Sequence, residues 1–181
     1  MRLFWRHGYE GVSVGDLTKA IGIAPPSLYA AFGSKAGLYQ EALARYEGSI
    51  GLLDFAAVAQ ADDRPKAVRL LLEAAIEAVT HPDRERGCMI SSGMVTCHPD
   101  HAALARDLAA RREDIRMRIV QALQPFGDNE TIPGLARHLA AVMQGISIQA
   151  RDGSSRAELQ EIVEDVVAGL DRRQSRSQAS R

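Results

Sequence analysis

Long apolar runs, strand patterns, cysteines and surplus charge are all scarce in this chain, and each scarcity removes a class of protein. No stretch of about 18 apolar residues occurs, and the opening MRLFWRHGYEG has no apolar core of leader length. A soluble, cytoplasmic protein is expected. The only cysteines, Cys88 and Cys97, are too few for a disulfide framework and are expected as reduced thiols. Alternating β-branched residues between turn signals are missing, which argues against a sandwich or barrel. Lysine and arginine number 22 against 23 acidic residues, a formal net charge of −1. With no overall basic field, any nucleic-acid contact has to be local. There is no Gly-rich phosphate loop, nucleophile elbow or HExxH motif, so neither an enzyme nor a cofactor is expected.

What the 181 residues do contain is helical periodicity almost throughout, on a 46% hydrophobic composition led by alanine and leucine. Residues 1–7 read as the end of a helix stopped at Gly8. Ser13 caps a helix over Val14–Ala20, with Asp16 in the capping-box position, and Gly22 ends it. Pro25–Phe32 forms a third helix, and Ser34 caps a fourth running to about Ala59. Longer amphipathic helices follow. One starts at Asp63-Arg64-Pro65 and ends at His81-Pro82, one covers HPDHAALARDLAARREDIRMRIVQAL, one opens at Thr131, and the last carries Leu159 to Leu170. The class is all-α: a short-helix head over 1–46, a long-helix bundle over 47–171, and a polar, arginine-rich tail over 172–181 with the composition of disorder.

The stretch PPSLYAAFGSKAGLY, residues 25–39, raises the functional question, because a helix of barely two turns is punctuated at both ends. Val14–Ala20 and Pro25–Phe32, joined by a tight turn at Gly22, have helix-turn-helix spacing. Val14, Leu17, Ala20, Ile23, Leu28 and Phe32 are expected inward with Leu3 and Phe4. Ser27, Tyr29 and Ala30 are expected outward, where a DNA-reading helix would present them to base edges. Ala24 cannot cap this helix, but Pro25 and Pro26 carry no N–H to satisfy. The amide near Ser27 is left to point at a phosphate. Lys35, in the first turn of the next helix, opposes the macrodipole, and a nearby phosphate would account for it.

In register, Gly8-Tyr9, Ser13-Val14, Ala20-x-Gly22-Ile23, Ser27-Leu28-Tyr29-x-x-Phe32 and Gly33-Ser34-Lys35 resemble the DNA-binding segment of the TetR family of bacterial transcriptional regulators over about residues 3–46. The resemblance implies a homodimeric repressor on a palindromic operator, with Pro25–Phe32 in the major groove and release by a small-molecule effector. It implies phosphate contacts at Ser13, Tyr29 and Lys35, places Pro26, Ser27 and Ala30 near base edges, and includes Pro25 in the DNA-binding set. With few hydrogen-bonding side chains there, specificity would lean on thymine methyls and DNA shape. Val12 and Ala24 depart from the family's hydroxylated residues, and residues 1–7 match only the last two turns of its first helix, a truncated form. That motivates an alternative, a dimeric ligand-binding member with weak or lost DNA binding.

The family pairs its last two helices across the dimer, which assigns Leu139, Met143, Leu159, Ile162, Val163, Val166, Val167 and Leu170 to the interface. Met89, Met94, Cys97, Met117, Met143 and Ile146 are candidate lining for an apolar effector, since methionine suits irregular pockets. Two rival sensors remain. His98 and His101, with Cys97 beside them, could share a metal if helical, although Pro99 and Asp100 argue for a helix start. Cys88 and Cys97 could form a redox switch. No metal site is assigned.

Overall fold

Capping side chains and chain-stopping glycines divide the described residues into ten α-helices and two 3₁₀ turns. The computed structural model describes residues 1–49 and 53–179; the side chains of 49 and of 171–179 lie outside that description. The helices are α1 (Arg2–His7), α2 (Val14–Ile21), α3 (Pro25–Phe32), α4 (Lys35–Ser49), α5 (Phe55–Ala59), α6 (Arg64–Thr80), α7 (Met89–Ser92), α8 (Ala102–Leu123), α9 (Ile132–Asp152) and α10 (Arg156–Ala179). The 3₁₀ turns are Pro99–His101 and Gln124–Phe126. The fold is all-α, with short helices of helix-turn-helix form first and long helices after. Among the described residues, no helix is long and apolar enough to cross a membrane.

Two compact units are present: Met1–Leu52 with Cys88–Arg112, and Leu53–Gly87 with Glu113–Arg181. The first therefore draws in 88–112, a segment that the linear order of domains places beyond residue 47. The helix expected from Ser34 to about Ala59 is two helices. Ser34 Oγ accepts the Gly37 N–H at 3.0 Å and starts α4, while Asp54 Oδ1 accepts the Ala57 N–H at 2.9 Å and starts α5 afresh. Residues 50–52 between them lie outside the described residues. So do the side chains of the tail over 172–181, whose α10 backbone is described to Ala179.

The first unit is held by aromatic rings rather than by the aliphatic set expected from α2 and α3. Leu17, Leu28 and Phe4 are buried, but Val14, Ile23, Phe32 and Leu3 are only half-buried and Ala20 is exposed. Five of the chain's nine aromatic rings, Phe4, Trp5, Tyr9, Tyr39 and Tyr46, are buried here instead. Phe4 meets Tyr39 edge-on at 5.0 Å between centroids, Trp5 meets Tyr46 at 4.9 Å, and Tyr9 tilts against Tyr39 at 5.2 Å. Each such pair adds about 0.5–1.5 kcal/mol beyond the apolar area it removes from water. A sequence poor in aromatics thus concentrates them where α1 and α4 brace the short helices.

In the second unit α6 packs against α5, α9 and α10. Its buried stripe is Ala67, Val68, Leu71, Leu72, Ala75, Ile76 and Val79. Asp63 Oδ1 caps it by accepting the Lys66 N–H at 2.8 Å, with Pro65 in the first turn. The Arg69 guanidinium of α6 holds the Glu164 carboxylate of α10 with both nitrogens, at 2.5 and 2.7 Å. The fork-to-fork geometry fixes the register of the two helices as well as their charge.

Candidate nucleic-acid interface

The turn between α2 and α3 depends on one left-handed residue. Gly22 has φ 78° and ψ 31°, and its N–H closes on Thr18 O at 2.9 Å. A side chain is disfavoured in that conformation, so glycine ends α2 and turns the chain into α3. Gly33, with φ 70°, does the same at the far end, its N–H reaching Tyr29 O at 2.8 Å.

The helix between them begins without a side-chain cap, and Pro25 and Pro26 occupy its first turn. The amide of Ser27 is not left for a phosphate: it donates to Ala24 O at 3.0 Å, and the Leu28 amide shares that carbonyl at 3.3 Å. A tight first turn satisfies the donors that a cap would have taken, which corrects the expectation of a free N–H there. Leu28 is fully buried and anchors the helix. At 3.6 residues per turn, Pro26 and Ala30 then face directly away from the core, flanked by Ser27 and Tyr29. Pro25, Pro26, Ser27, Tyr29 and Ala30 are all exposed, Tyr29 by 48%. α3 therefore displays a short face with two hydroxyls and three small apolar surfaces.

Ser13 is exposed at the start of α2 in a complete capping box. Its Oγ accepts the Asp16 N–H at 3.1 Å, while Asp16 Oδ2 accepts the Ser13 N–H at 2.9 Å and the Ser13 hydroxyl at 2.6 Å. These bonds hold the Asp16 carboxyl below the usual carboxylate range. The Ser13 hydroxyl proton is committed to a carboxylate, and that anion lies beside any phosphate approaching here. Lys35 is half-buried, its Nζ 4.3 Å from the centroid of the Tyr9 ring. Burial lowers its pKa, and the nearby Glu10 carboxylate opposes the shift. The Glu10 side chain also accepts the His98 N–H at 2.7 Å, and His101 packs edge-on against Tyr9 at 4.9 Å. The 3₁₀ turn after Cys97 is thus tied to the same aromatic ring that carries Lys35.

That turn does not assemble a metal site. His98 Nδ1 accepts the Asp100 N–H at 3.3 Å, the two imidazoles are 6.3 Å apart, and no group of three suitable ligands occurs among the described residues. Cys88 and Cys97 are half-buried and lie outside any disulfide, and Cys88 Sγ accepts the Ser91 N–H at 3.5 Å as the cap of α7. The expected effector lining is divided. Met89, Met94 and Cys97 belong to the first unit, and Met117, Met143 and Ile146 to the second. Met89, Met94 and Ile146 are buried, but Met117 is 42% exposed and turns outward. A cleft of about 410 Å³ in the second unit is lined by Glu77, Thr80, His81, Pro82, Arg84, Arg86 and Arg156, none of them in the expected set.

The expected dimer stripe also separates. Leu139, Leu159 and Val163 are wholly enclosed and Val167 and Leu170 nearly so, which makes them core of their own unit and corrects their assignment to an interface. The helix period aligned all eight residues, but each apolar stripe is wide enough for its centre to face inward. Met143, Ile162 and Val166 are half-buried, and Ile148, which was not anticipated, is 43% exposed.

Residues 1–42 match the model of the family described as "Bacterial regulatory proteins, tetR family". The HTH-type transcriptional repressor ComR of Escherichia coli K12 is 34% identical over 174 residues, 90% of this chain and 80% of its own length. The HTH-type transcriptional repressor BdcR of the same organism is 34% identical over 158 residues, 84% of this chain and 76% of that protein. Among solved structures, a cysteine mutant of the TetR family transcriptional regulator CifR, complexed with 26 bp double-strand operator DNA, superposes with a TM-score of 0.83. It is 35% identical, covering 92% of this chain and 91% of that one.

Proposed function

This chain belongs to the TetR family of bacterial regulatory proteins, and from that premise we propose that it is a repressor that binds a palindromic operator as a homodimer and lets go when a small molecule binds. The observation that carries the reading is α3: one buried leucine, Leu28, with Pro26, Ser27, Tyr29 and Ala30 exposed around the other sides. That is the geometry of a helix that enters a major groove by its first turns. The operator complex of a relative with 35% identity over 92% of this chain supports it.

In this reading Tyr29 and Lys35 hold phosphates on either side of the groove and fix the helix, while Pro26, Ser27 and Ala30 lie against base edges. Ser27 is the one of these three able to hydrogen bond to a base. Thymine methyls and groove shape supply the remaining discrimination. Ser13 contributes through its cap, which sets the start of α2. Two heads at one helical repeat need a partner copy, and the half-buried Met143, Ile162 and Val166 with exposed Ile148 are its apolar surface. The effector acts by population shift: it favours a dimer whose heads miss successive grooves, by as much as its affinity for the two states differs. The repressor works in the cytoplasm and has no catalytic role.

The experiment is a gel shift with the DNA upstream of the protein's own gene, with size-exclusion light scattering on the same preparation. A specific complex of two chains per site is expected. A well-folded dimer that ignores this DNA at low salt would favour instead a ligand-binding family member without an operator.

A further inference from the structure

Among the described residues, Arg112, on α8, has no carboxylate partner. Its neighbours in sequence do: Arg111 is bonded to Glu47 and Asp107, and Arg116 to Glu113. Arg112 is half-buried, and its Nη1 donates to two main-chain carbonyls, Ile90 O and Gly93 O, each at 2.9 Å. Those bonds use both hydrogens of that nitrogen and lock the guanidinium plane. Nε and Nη2 carry three further N–H groups with no partner among the described residues, and neither nitrogen is sealed from solvent. The acidic groups close enough to act on Arg112 are the Tyr39 phenol and the Cys88 thiol. Burial pulls the Arg112 pKa below its usual value.

A half-buried cation without an anion is costly, and proteins normally pair it. The side chains that the same stretch buries are apolar. Met89, Ile90, Met94 and Leu108 are buried in the same unit, and Leu108 lies one turn before Arg112 on α8. A backbone irregularity falls at the same place. Met94 has φ 52°, the left-handed region that a non-glycine residue rarely occupies, directly after the Gly93 whose carbonyl Arg112 holds. Such strain collects at ligand clamps and switch segments.

We infer that the open Nε–Nη2 edge of Arg112 binds the carboxylate of a small organic acid whose apolar body lies against the α7–α8 face of the first unit. The planar fork matches a carboxylate with two parallel hydrogen bonds, and its fixed plane means little entropy is lost on binding. The inference rests on the proposed effector-released repressor, because it gives the chemical class of that effector. It also moves the ligand away from the methionine set: Met89 and Met94 are buried, and the group that selects the ligand is a charge.

The test uses full-length protein without DNA, so that it reads the site whether or not an operator is ever bound. Octanoate and benzoate are titrated calorimetrically at millimolar concentrations, with octanamide and benzamide as neutral isosteres. At least one acid is expected to bind, and its amide to bind at least about tenfold more weakly, since it cannot form a charge-assisted pair. Arg112→Lys, which keeps the charge but loses the fork, is expected to weaken the acid about tenfold, and Arg112→Gln to abolish its advantage over the amide. Circular dichroism checks that each variant folds. If a variant fails to fold, the comparison of acid with amide on the parent protein still decides. No binding by either acid, or equal binding of acid and amide, overturns the inference. So does undiminished acid binding by folded Arg112→Gln, which would leave Arg112 a clip for the end of α7. A gel shift with the binding acid then separates the two readings: release of a pre-formed operator complex supports the effector assignment, and an unchanged complex contradicts it.

Discussion

The Lys35 ammonium sits 4.3 Å from the centre of the Tyr9 ring, whose other neighbours are Phe4, Tyr39 and the edge of His101. A cation in the first turn of α4 opposes the helix dipole, and burial makes its charge dearer still. The face of the phenol offsets part of both costs and holds the ammonium in a fixed place. Tyr9→Phe keeps that face, while Tyr9→Leu loses it together with three aromatic contacts. Urea unfolding is expected to show Tyr9→Phe close to the parent and Tyr9→Leu less stable by about 1–3 kcal/mol. Equal loss in both would assign the stability to the hydroxyl instead.

Tyr29 and Ser27 divide the work of α3 in the proposed complex. Removing the phenol oxygen by Tyr29→Phe takes one hydrogen bond from a phosphate, about 0.5–1.5 kcal/mol or roughly two- to tenfold in affinity, on every sequence alike. Ser27→Ala is expected to change the ranking of operator variants more than the mean affinity. Fluorescence anisotropy on a panel of single-base operator variants distinguishes a uniform shift from a re-ranking.

On α10, Val163 and Val166 look equivalent by period, yet the first is fully enclosed and the second half-buried. Val166→Glu is expected to yield a folded monomer by light scattering. Val163→Asp is expected to unfold the second unit, because it buries a charge without a partner. A folded monomer from Val163→Asp would reverse the assignment of faces.

Arg69 holds Glu164 across α6 and α10 and lowers its carboxyl from the ordinary 4.5 to about 2. A carboxylate with a depressed folded pKa stabilises the native state above its unfolded pKa, and that contribution fades as pH falls through the folded value. Melting temperatures should therefore show an extra decline from pH 4.5 toward 2 in the parent. In Glu164→Gln the decline in that window should be shallower, and parallel curves would mean that the pair adds nothing.

Much of the first unit was legible because its punctuation is local. Ser13 with Asp16, Gly22, the two prolines and Gly33 each act within four residues of themselves, and α2 and α3 follow from them. What was not legible depends on groups distant in sequence. Nothing near Tyr9 announces that Lys35 and His101 will share its ring, and no motif marks Arg112, because the carbonyls it holds, Ile90 O and Gly93 O, lie about twenty residues away. The Ser27 amide is hidden from the sequence for a related reason: a 3₁₀-like first turn consumes it, and composition does not reveal the choice between that turn and an open one. The periodic stripes of α9 and α10 identified the apolar side correctly but could not divide its inward centre from its margin.

In the proposed complex this head holds a duplex by gripping its backbone beside α3, and the grip shows itself in the salt dependence of operator binding. Affinity of the parent and of Lys35→Met is measured across a series of salt concentrations. A steep fall of log affinity with log salt is expected in the parent, and a slope shallower by about 0.9 per subunit in the variant, since each lost phosphate contact releases one fewer set of counterions. Identical slopes in the two proteins would contradict it.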